Sequence, residues 1–224
     1  MNKAYVICHM MTSLDGRIDC AMTEQLRGVE EYYATLEQLN VPTTVSGRVT
    51  AEREMALPGK FTAATAVPIG REAFSKKTDA VGYDIVVDTK GTLLWPETSG
   101  MDKPYLILTS QLASKEYLDY LDGQNISWIA TGEQRIDLAR ALEILTEQFG
   151  VSCIGVVGGS AINTGFLEAG LLDEISIVIG AGIDGRGGMP AVFDGREQKQ
   201  SVRSLQLKNV EAFASGAVWL RYTV

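Results

Sequence analysis

Histidine and cysteine are both scarce in this 224-residue sequence, which holds a single histidine and three cysteines. Cys8, Cys20 and Cys153 are far apart and form no Cys-x-x-Cys pair, so we expect no structural zinc site and no resident metal. An odd number of thiols, two of them within apolar strand-like runs, indicates buried free cysteines in a reducing compartment. The sequence therefore predicts a cytoplasmic location.

The sequence also lacks an excess of positive charge and any long apolar run. Its 20 lysines and arginines against 28 acidic residues give a formal net charge of −8. Such a surface repels phosphates, so we expect neither nucleic acid nor an anionic membrane as a partner, although a local basic pocket for a small phosphorylated ligand is compatible with it. No run approaches the roughly 18 apolar residues of a membrane-spanning helix. The chain begins directly in a strand pattern, which predicts no signal peptide.

The sequence does contain a regular succession of strand and helix patterns. Predicted strands cover 3–12, 84–88, 105–109, 126–130, 154–157 and 175–179, with a short one ending at 45–46. Predicted helices cover 30–39, 47–55, 114–121 and 137–149, and 60–77 is predicted to be a loop with partial structure. The first strand is apolar on both faces, which indicates a central position in the sheet.

The end of the chain has a different pattern. Alternating segments at 205–214 and 217–223 are joined by a serine and a glycine, which predicts an antiparallel hairpin. No linker or repeat divides the chain. The sequence therefore predicts one α/β domain over residues 1–224, with a mostly parallel sheet and an antiparallel C-terminal hairpin.

A pair of glycines marks the stretch between residues 151 and 179. Gly158 and Gly159 follow an apolar run, Ser160 stands where a helix N-cap is expected, and Gly170 stands where that helix should end. The order of strand, turn, helix and strand favours parallel pairing of the two strands through a right-handed crossover. Backbone N–H groups at such a helix start form an anion site, most often for a phosphate or pyrophosphate. The alternative is a tight turn without a ligand.

A second glycine-rich stretch, residues 180–185, matches the dinucleotide fingerprint G-x-G-x-x-G and follows a predicted strand. The residues after it include further glycines and Pro190, which cannot open a regular helix. We therefore do not expect a Rossmann-type cofactor site here. A glycine loop at the carboxyl end of a strand is still a place where open α/β sheets bind ligands.

Four short motifs follow one another along the chain: TSLDGRI at 12–18, GRVT at 47–50, VGGS at 157–160 and AGLLDE at 169–174. With them the sequence resembles, over nearly its whole length, the reductase domain of riboflavin biosynthesis, which is the C-terminal half of the bifunctional pyrimidine deaminase/reductase. The resemblance implies a dihydrofolate reductase-like, three-layer α/β/α fold. The zinc signature of the deaminase half is absent from this sequence, so we expect a reductase domain standing alone.

The resemblance implies NADPH as the cofactor and assigns residues to it. The residues implied to hold its phosphates are Gly158, Gly159, Ser160, Ala161 and Ile162. Thr50 and Thr89 are also implied to belong to the cofactor site, and Met11 to lie against the nicotinamide. Arg48 is a candidate for the adenosine 2′-phosphate, because a guanidinium binds phosphate bidentately. The alternative for Arg48 is an ordinary exposed helix arginine.

The same resemblance implies a substrate end of the site. It includes Ser13, Asp15, Glu54 and Val157, and Asp15 is also a catalytic candidate. Asp15 has a simpler alternative, since aspartate often caps its own turn.

The sequence departs from the family where the substrate binds. The family usually has a glutamate where Val157 stands and commonly a lysine where we align His9. The segment that meets the substrate's ribosyl phosphate has no clear counterpart between residues 19 and 40. Losing charged contacts affects a polar substrate more than a cofactor held elsewhere. The cofactor assignment therefore transfers better than the substrate assignment.

His9 is a catalytic candidate of its own. A histidine has a pKa near working pH, so it can donate the proton that accompanies hydride delivery. The alternative is a strand histidine whose ring nitrogens are satisfied by neighbours.

The function implied is hydride transfer from NADPH to a small heterocyclic or ribosylamino substrate. The specific substrate that we expect is 5-amino-6-(5-phosphoribosylamino)uracil. Two alternatives stay open: a reductase of another substrate, such as a pterin or an imine, on the same fold, and a non-catalytic nucleotide-binding protein. The resemblance also implies a homodimer. Trp219 and Tyr222 of the predicted hairpin either supply apolar surface for it or belong to the core.

Overall fold

Strands and helices alternate along most of the chain in the computed structural model, which describes residues 3–98, 100–196 and 199–224. The strands are β1 (Tyr5–Thr12), β2 (Thr43–Gly47), β3 (Ala73–Ser75), β4 (Asp84–Val87), β5 (Tyr105–Thr109), β6 (Ser127–Ala130), β7 (Cys153–Val156), β8 (Glu174–Ile179), β9 (Gln206–Ala212) and β10 (Val218–Thr223). The helices are α1 (Cys20–Thr23), α2 (Val29–Gln38), α3 (Arg48–Glu54), α4 (Lys115–Gly123), α5 (Leu138–Phe149) and α6 (Ser160–Glu168).

The predicted strands and helices are present, with ends shifted by no more than two residues. Two short elements were not predicted. α1 is a single turn whose N-cap residue, Asp19, makes no side-chain capping bond. β3 lies within the stretch that we predicted to be a loop with partial structure. Both are too short to carry a periodic pattern, and neither has a strong start or stop signal.

The chain separates into two compact units. The first unit consists of residues 42–152 and the short segment that ends at Ala4. Its strands lie in the order β3-β6-β5-β4-β2, and neighbours are parallel except for β3, which pairs antiparallel with β6. Its core includes the aromatic side chains of Trp95, Tyr117 and Trp128. The single domain over residues 1–224 stays a prediction.

Side-chain caps fix the starts of α4 and α5 in this unit, whereas α3 begins after Gly47 without one. Ser114 accepts a hydrogen bond from the Tyr117 N–H at the start of α4, and Asp137 accepts one from the Arg140 N–H at the start of α5. α5 ends at Gly150, whose φ of 69° is in the left-handed region that glycine adopts without strain. α5 was predicted over 137–149, and the structure makes Asp137 its N-cap, so the helix starts one residue later than predicted.

The second unit consists of residues 5–41 and 153–224, and its strands lie in the order β7-β1-β8-β10-β9. β1 pairs in parallel with both β7 and β8, whereas β10 pairs antiparallel with both β8 and β9. The central position of β1 is thus confirmed within this unit. The predicted direct pairing of β7 with β8 is wrong, because β1 lies between these two strands. The mixed α/β class, mostly parallel with an antiparallel C-terminal hairpin, is confirmed.

Burial differs among the three thiols and between the two strands of the hairpin. Cys8 is buried as predicted, but Cys20 and Cys153 are only partly buried, so the expectation of buried thiols is wrong for those two. In the hairpin, Trp219 is 1% exposed and packs in a small core cluster with Val178. It therefore belongs to the core. β9, in contrast, is exposed along its whole length.

A buried carboxylate connects four strands of the second unit. The Glu174 side chain is fully buried and accepts hydrogen bonds from Arg221, Lys208 and the Tyr5 hydroxyl, the last at 3.1 Å. Burial by itself raises the pKa of Glu174, but the hydrogen bonds from Arg221 and Lys208 outweigh it, so the pKa lies below its usual value. Glu174 is therefore ionised at neutral pH, with its charge compensated by neighbouring cations.

Replacing this carboxylate tests how much the cluster stabilises the fold. Glu174→Gln is expected to lower the free energy of unfolding at pH 7 by roughly 2 kcal/mol, because it leaves the partly buried Arg221 guanidinium and the exposed Lys208 ammonium without the negative charge that compensates them. The matched control is Asp119→Asn, which breaks the exposed pair with Lys115 on α4 and should change stability by less than about 0.5 kcal/mol. Chemical denaturation measures both. Equal effects would contradict this account of Glu174.

Candidate functional site

Three parallel strands of the second unit end at the same edge of its sheet. In the register of β1, Cys8 lies opposite Val156 of β7, and Thr12 lies opposite Ile179 of β8. β1 therefore continues past β7, while β8 accompanies it to its end. The carboxyl edge of parallel strands is where open α/β sheets bind ligands. Three segments leave this edge: the glycine corner (157–162), the turn after β1 (13–19) and the glycine loop (180–191).

The glycine corner connects β7 to α6. The helix N-cap is Gly159, with φ 80° and ψ 128°, and Ser160 is the first helical residue. The predicted N-cap role of Ser160 is therefore wrong, because this positive-φ conformation suits glycine and not serine. A Cβ added to Gly159 would meet no atom within 4 Å, so the corner is open on that side. Val157, directly after β7, is partly buried.

The corner presents backbone donors. The N–H of Ile162 donates to the Gly159 carbonyl at 3.1 Å. The first N–H groups of a helix have no acceptor within it, which makes those of Ser160 and Ala161 the donors that an anion would use. The α6 dipole adds a partial positive charge at the same point. The structure thus brings together all five residues predicted to hold the phosphates.

Asn163, in the first turn of α6, is a residue that the sequence analysis did not single out. Its side chain is fully buried, and Nδ2 donates to the Val192 carbonyl at 2.8 Å. Among the described residues Oδ1 has no hydrogen-bond partner, which is uncommon for a buried amide oxygen. In the sequence Asn163 looks like an ordinary helix asparagine, so only the fold distinguishes it.

Ser13 and Asp15 lie in the turn after β1. The Ser13 hydroxyl donates to Asp15 Oδ1 at 2.7 Å and accepts the Arg17 N–H at 3.1 Å. Asp15 also accepts the N–H groups of Asp184 and Gly185, each at 3.0 Å. The bond from Ser13, followed by these two, holds the pKa of Asp15 well below its usual range. Asp15 therefore binds the glycine loop as well as its own turn. The substrate-binding roles of Ser13 and Asp15, and the catalytic role of Asp15, stay predictions.

Met11 precedes this turn, and its side chain is 6% exposed. A Cβ built on Gly180 would come within 2.9 Å of Met11 Cε, so the methionine packs tightly against the start of the glycine loop. The side chain of Met11 is part of the core. Its predicted contact with the nicotinamide stays a prediction.

His9 is fully buried and has partners at both ring nitrogens. Nδ1 lies 2.9 Å from the Ser176 hydroxyl, Nε2 lies 3.2 Å from the Tyr32 carbonyl oxygen, and the ring stacks on Tyr32 with centroids 4.8 Å apart. The Trp219 indole donates to Ser176 at 2.7 Å. These contacts assign one chain of donors: Trp219 to Ser176, Ser176 to His9 Nδ1, and Nε2–H to the Tyr32 carbonyl.

Burial, the largest influence, lowers the pKa of His9 to about 4. The imidazole is therefore neutral at pH 7, with both nitrogens engaged. These surroundings support the alternative of a satisfied core histidine, and the role of His9 as a proton donor stays a prediction.

The other predicted cofactor residues lie in the first unit, where β2 and β4 pair in parallel. Arg48 and Thr50 are on α3, which begins directly after β2, and Thr89 lies two residues beyond β4. The carboxyl ends of these two strands thus place all three residues at one edge of that unit's sheet. Their roles in cofactor binding stay predictions.

Arg48 and Thr89 make their contacts within the first unit. Arg48 is exposed and pairs with Glu52 one turn along α3, which agrees with the alternative of an ordinary helix arginine. The Thr89 carbonyl accepts hydrogen bonds from the hydroxyls of Thr109 and Ser110. Glu54, the predicted substrate residue, is exposed at the end of α3.

The sequence profile of the RibD C-terminal domain family matches residues 4–219. The chain belongs to this family. The riboflavin biosynthesis protein RibD of Chlamydia muridarum is 25% identical over 197 residues, which cover 85% of this chain and 50% of that protein. The chain thus spans about half the length of this curated relative.

Solved structures share the fold. A pyrimidine reductase-like protein from Corynebacterium diphtheriae is similar with a TM-score of 0.72 and 16% identity, covering 100% of this chain and 92% of that one. The riboflavin biosynthesis reductase Rib7 of Saccharomyces cerevisiae is similar with a TM-score of 0.60 and 16% identity, covering 100% of this chain and 90% of that one. These neighbours agree with the dihydrofolate reductase-like fold implied by the resemblance.

Membership of the RibD C-terminal domain family confirms the resemblance drawn from the four motifs. Two of them, at 12–18 and 157–160, lie in segments that leave the carboxyl edge of the second unit. No helix in the described parts of the chain has both the length and the apolar character needed to cross a membrane.

The neutral state of His9 predicts how stability depends on pH. An unfolded histidine titrates near 6.5, so between pH 6.5 and about 4 the unfolded chain binds a proton that folded His9 does not. The His9 contribution to stability should therefore be present above pH 6.5 and fall by roughly 3 kcal/mol as the pH is lowered to about 4. Glutamine at this position cannot titrate, so His9→Gln should flatten the dependence in that window.

Denaturation series at several pH values measure this difference. Thr35→Val is the matched control, because Thr35 lies 3.5 Å from His9 Nε2 and its replacement leaves the imidazole in place. This variant should keep the slope of the wild type. A His9→Gln variant whose slope equals that of the wild type would contradict the buried, neutral state of His9.

Proposed function

We propose that this chain is an NADPH-dependent reductase that acts on 5-amino-6-(5-phosphoribosylamino)uracil. Its membership of the RibD C-terminal domain family supports an oxidoreductase. The observation that carries the cofactor part of the proposal is the glycine corner, a helix start at the carboxyl edge of parallel strands with open space beside Gly159. A helix start of this kind suits a diphosphate in charge and in hydrogen bonding.

The residues of the corner would divide the binding of NADPH between them. The N–H groups of Ser160 and Ala161 would donate to the diphosphate, and the open space beside Gly159 would let it approach the backbone without meeting a side chain. NADPH, when bound, supplies the hydride. The task left to the chain is to bind and orient both reactants, which itself lowers the barrier to reaction.

The side chains near this edge favour orientation over proton donation. Asp15 is ionised, with both oxygens occupied by hydrogen bonds from the chain. His9 is neutral and buried. The catalytic roles of Asp15 and His9 are retained only as parts of the proposal that need testing. The pH profile of kcat decides both, because a proton donor gives a limb that its variant loses.

One observation favours a second substrate class. Val157, at the implied substrate end, is the aliphatic first residue of the glycine corner, where it offers no charge to a polar substrate. A less polar heterocycle, such as a pterin, or an imine is the alternative on the same fold. Comparing kcat/KM for the uracil substrate with that for dihydropterins and cyclic imines distinguishes the two.

The proposal also includes a homodimer in the cytoplasm. Trp219 is buried and supplies no surface for a dimer, but β9 exposes Leu207 (54%) and Val210 (57%) on an edge strand. Exposed apolar residues on a sheet edge favour association. Sedimentation equilibrium measures the mass in solution, and a monomer at micromolar concentration would contradict the homodimer.

The glycine corner predicts a specific effect on NADPH affinity. Gly159→Ala should weaken NADPH binding at least about tenfold, because the new methyl group enters the open space and a non-glycine residue resists this φ. Gly170→Ala is the matched control. Gly170 lies just beyond the other end of α6, also has a positive φ (65°) and also has nothing within 4 Å of an added Cβ.

Thermal shift and fluorescence titration with NADPH and NADH measure these affinities. Saturating NADPH, at ~100 times its dissociation constant, should stabilise the wild type by roughly 2.7 kcal/mol. Gly159→Ala should lose more stability than Gly170→Ala, because its φ of 80° and ψ of 128° lie outside the left-handed helical region. Affinity is therefore compared at a temperature where both variants are folded, and only Gly159→Ala should lose it. An equal loss of affinity in both would contradict binding at the corner. A thermal shift without substrate-dependent loss of NADPH absorbance would favour the non-catalytic nucleotide-binding alternative.

A further inference from the structure

The glycine loop is fastened to the turn after β1 along its length. The Leu14 N–H donates to the Gly182 carbonyl at 2.8 Å, and the Ile18 N–H donates to the Pro190 carbonyl at 3.1 Å. The Arg17 guanidinium donates to the Met189 carbonyl at 2.7 Å. The two segments therefore form one layer at the carboxyl edge of β1 and β8.

The loop needs such attachments because its sequence provides little stiffness. Five of its twelve residues are glycine, and each glycine costs more conformational entropy to order than any other residue. Gly180 is also sterically required, because an added Cβ would crowd the Cβ of Leu26, whereas at Gly182 it would meet only the flexible end of that side chain. A Cβ would lie 2.8 Å from Leu26 at Gly180 and 2.5 Å from Leu26 at Gly182. A side chain outside the loop must therefore hold its remaining part.

Asp15 holds the centre of the glycine loop. One carboxylate oxygen accepts the Asp184 N–H and the other accepts the Gly185 N–H, each at 3.0 Å. Ser13 orients the carboxylate through a hydroxyl bond of 2.7 Å. The next residue, Arg186, pairs with Asp184 and, at 2.9 Å, with Asp19 in the same turn. Hydrogen bonds to a charged acceptor are stronger than neutral ones.

We propose that Asp15 is a positioning residue, whose carboxylate holds the glycine loop in one conformation at the edge where the ligand binds. The part that concerns the ligand rests on the proposed function. Asp15 acts through the loop backbone and not on the reacting atoms, because both of its oxygens are already occupied by the chain. This differs from the role of a catalytic candidate at the substrate end, in which the carboxylate would contact the reacting atoms.

Limited proteolysis tests the hold on the loop without any ligand. Trypsin cleaves after Arg186, and mass spectrometry follows the peptides that begin at Gly187. Asp15→Asn should raise the initial rate of this cleavage about tenfold or more, because it weakens two charged hydrogen bonds to consecutive N–H groups. Ser13→Ala keeps the carboxylate and should give a smaller rise. It also serves as the test if Asp15→Asn fails to fold, as judged by circular dichroism.

Glu116→Gln is the matched control. Glu116 also accepts two consecutive N–H groups, of Ala64 and Thr65, together with the Thr65 hydroxyl, but in the first unit. Cleavage after Arg186 in this variant should stay within about twofold of the wild type. Unchanged cleavage after Arg186 in folded Asp15→Asn, or in Ser13→Ala if that must replace it, would overturn the proposal.

Steady-state kinetics with NADPH and 5-amino-6-(5-phosphoribosylamino)uracil separates positioning from chemistry. A positioning role predicts that Asp15→Asn raises KM for the substrate while the pH profile of kcat keeps its shape. Loss of an acidic limb in that profile would overturn the proposal, and so would unchanged KM and kcat in a variant whose loop is cleaved faster. If the wild type neither binds nor oxidises NADPH, the proposed function is wrong. The proteolysis experiment alone would then decide whether Asp15 holds the glycine loop.

Discussion

The parallel pairing of β1 with β7 and β8 is the constraint on which the rest of the second unit depends. Parallel strands end at the same edge, so the segments that follow them meet there even though they are far apart in sequence. The register lets β1 and β8 end opposite each other and stops β7 earlier. That offset leaves the glycine corner beside an extended part of β1, with the glycine loop after β8 at the same edge. One pairing pattern thus assembles the whole candidate site of this unit.

Buried polar groups then fix how these strands pack. The chain of donors from Trp219 through Ser176 to His9 and Tyr32 connects β10, β8, β1 and α2. Such a network is specific, because each buried donor or acceptor is costly if its partner moves. Glu174, at the start of β8, has the same effect through donors from Arg221, Lys208 and the Tyr5 hydroxyl. The sheet that presents the site is therefore held by directional contacts as well as by apolar packing.

Much of the fold could be predicted from local patterns. The periodicity of α5 and its caps, the apolar faces of β1 and the serine-glycine turn of the hairpin are all visible in the sequence, because they depend on neighbouring residues. Strand order could not be predicted in this way. β7 and β8 read as a pair because they are consecutive strands, and only the three-dimensional structure shows that β1 lies between them.

The candidate site divides in the same manner. The paired glycines were recognisable in the sequence, but the N-cap lies one residue earlier than predicted. Ser160 was predicted because serine is a common N-cap residue, and the sequence does not show the backbone φ of Gly159. The partners of Asp15 and the burial of His9 depend on residues roughly 170 positions away. Contacts of this kind carry no local signal. The family resemblance supplied the expected chemistry of the site, which stays a prediction, and the structure supplied the positions of its side chains.

Binding of the NADPH diphosphate by the backbone at residues 158–162 is the proposal on which the function depends. Amide hydrogen exchange of these residues, with and without NADPH, tests it most directly, because bound phosphate oxygens protect the N–H groups that donate to them. The account predicts slower exchange at Ser160 and Ala161 when NADPH is present. Unchanged exchange at these two amides, with protection appearing elsewhere in the chain, would contradict it.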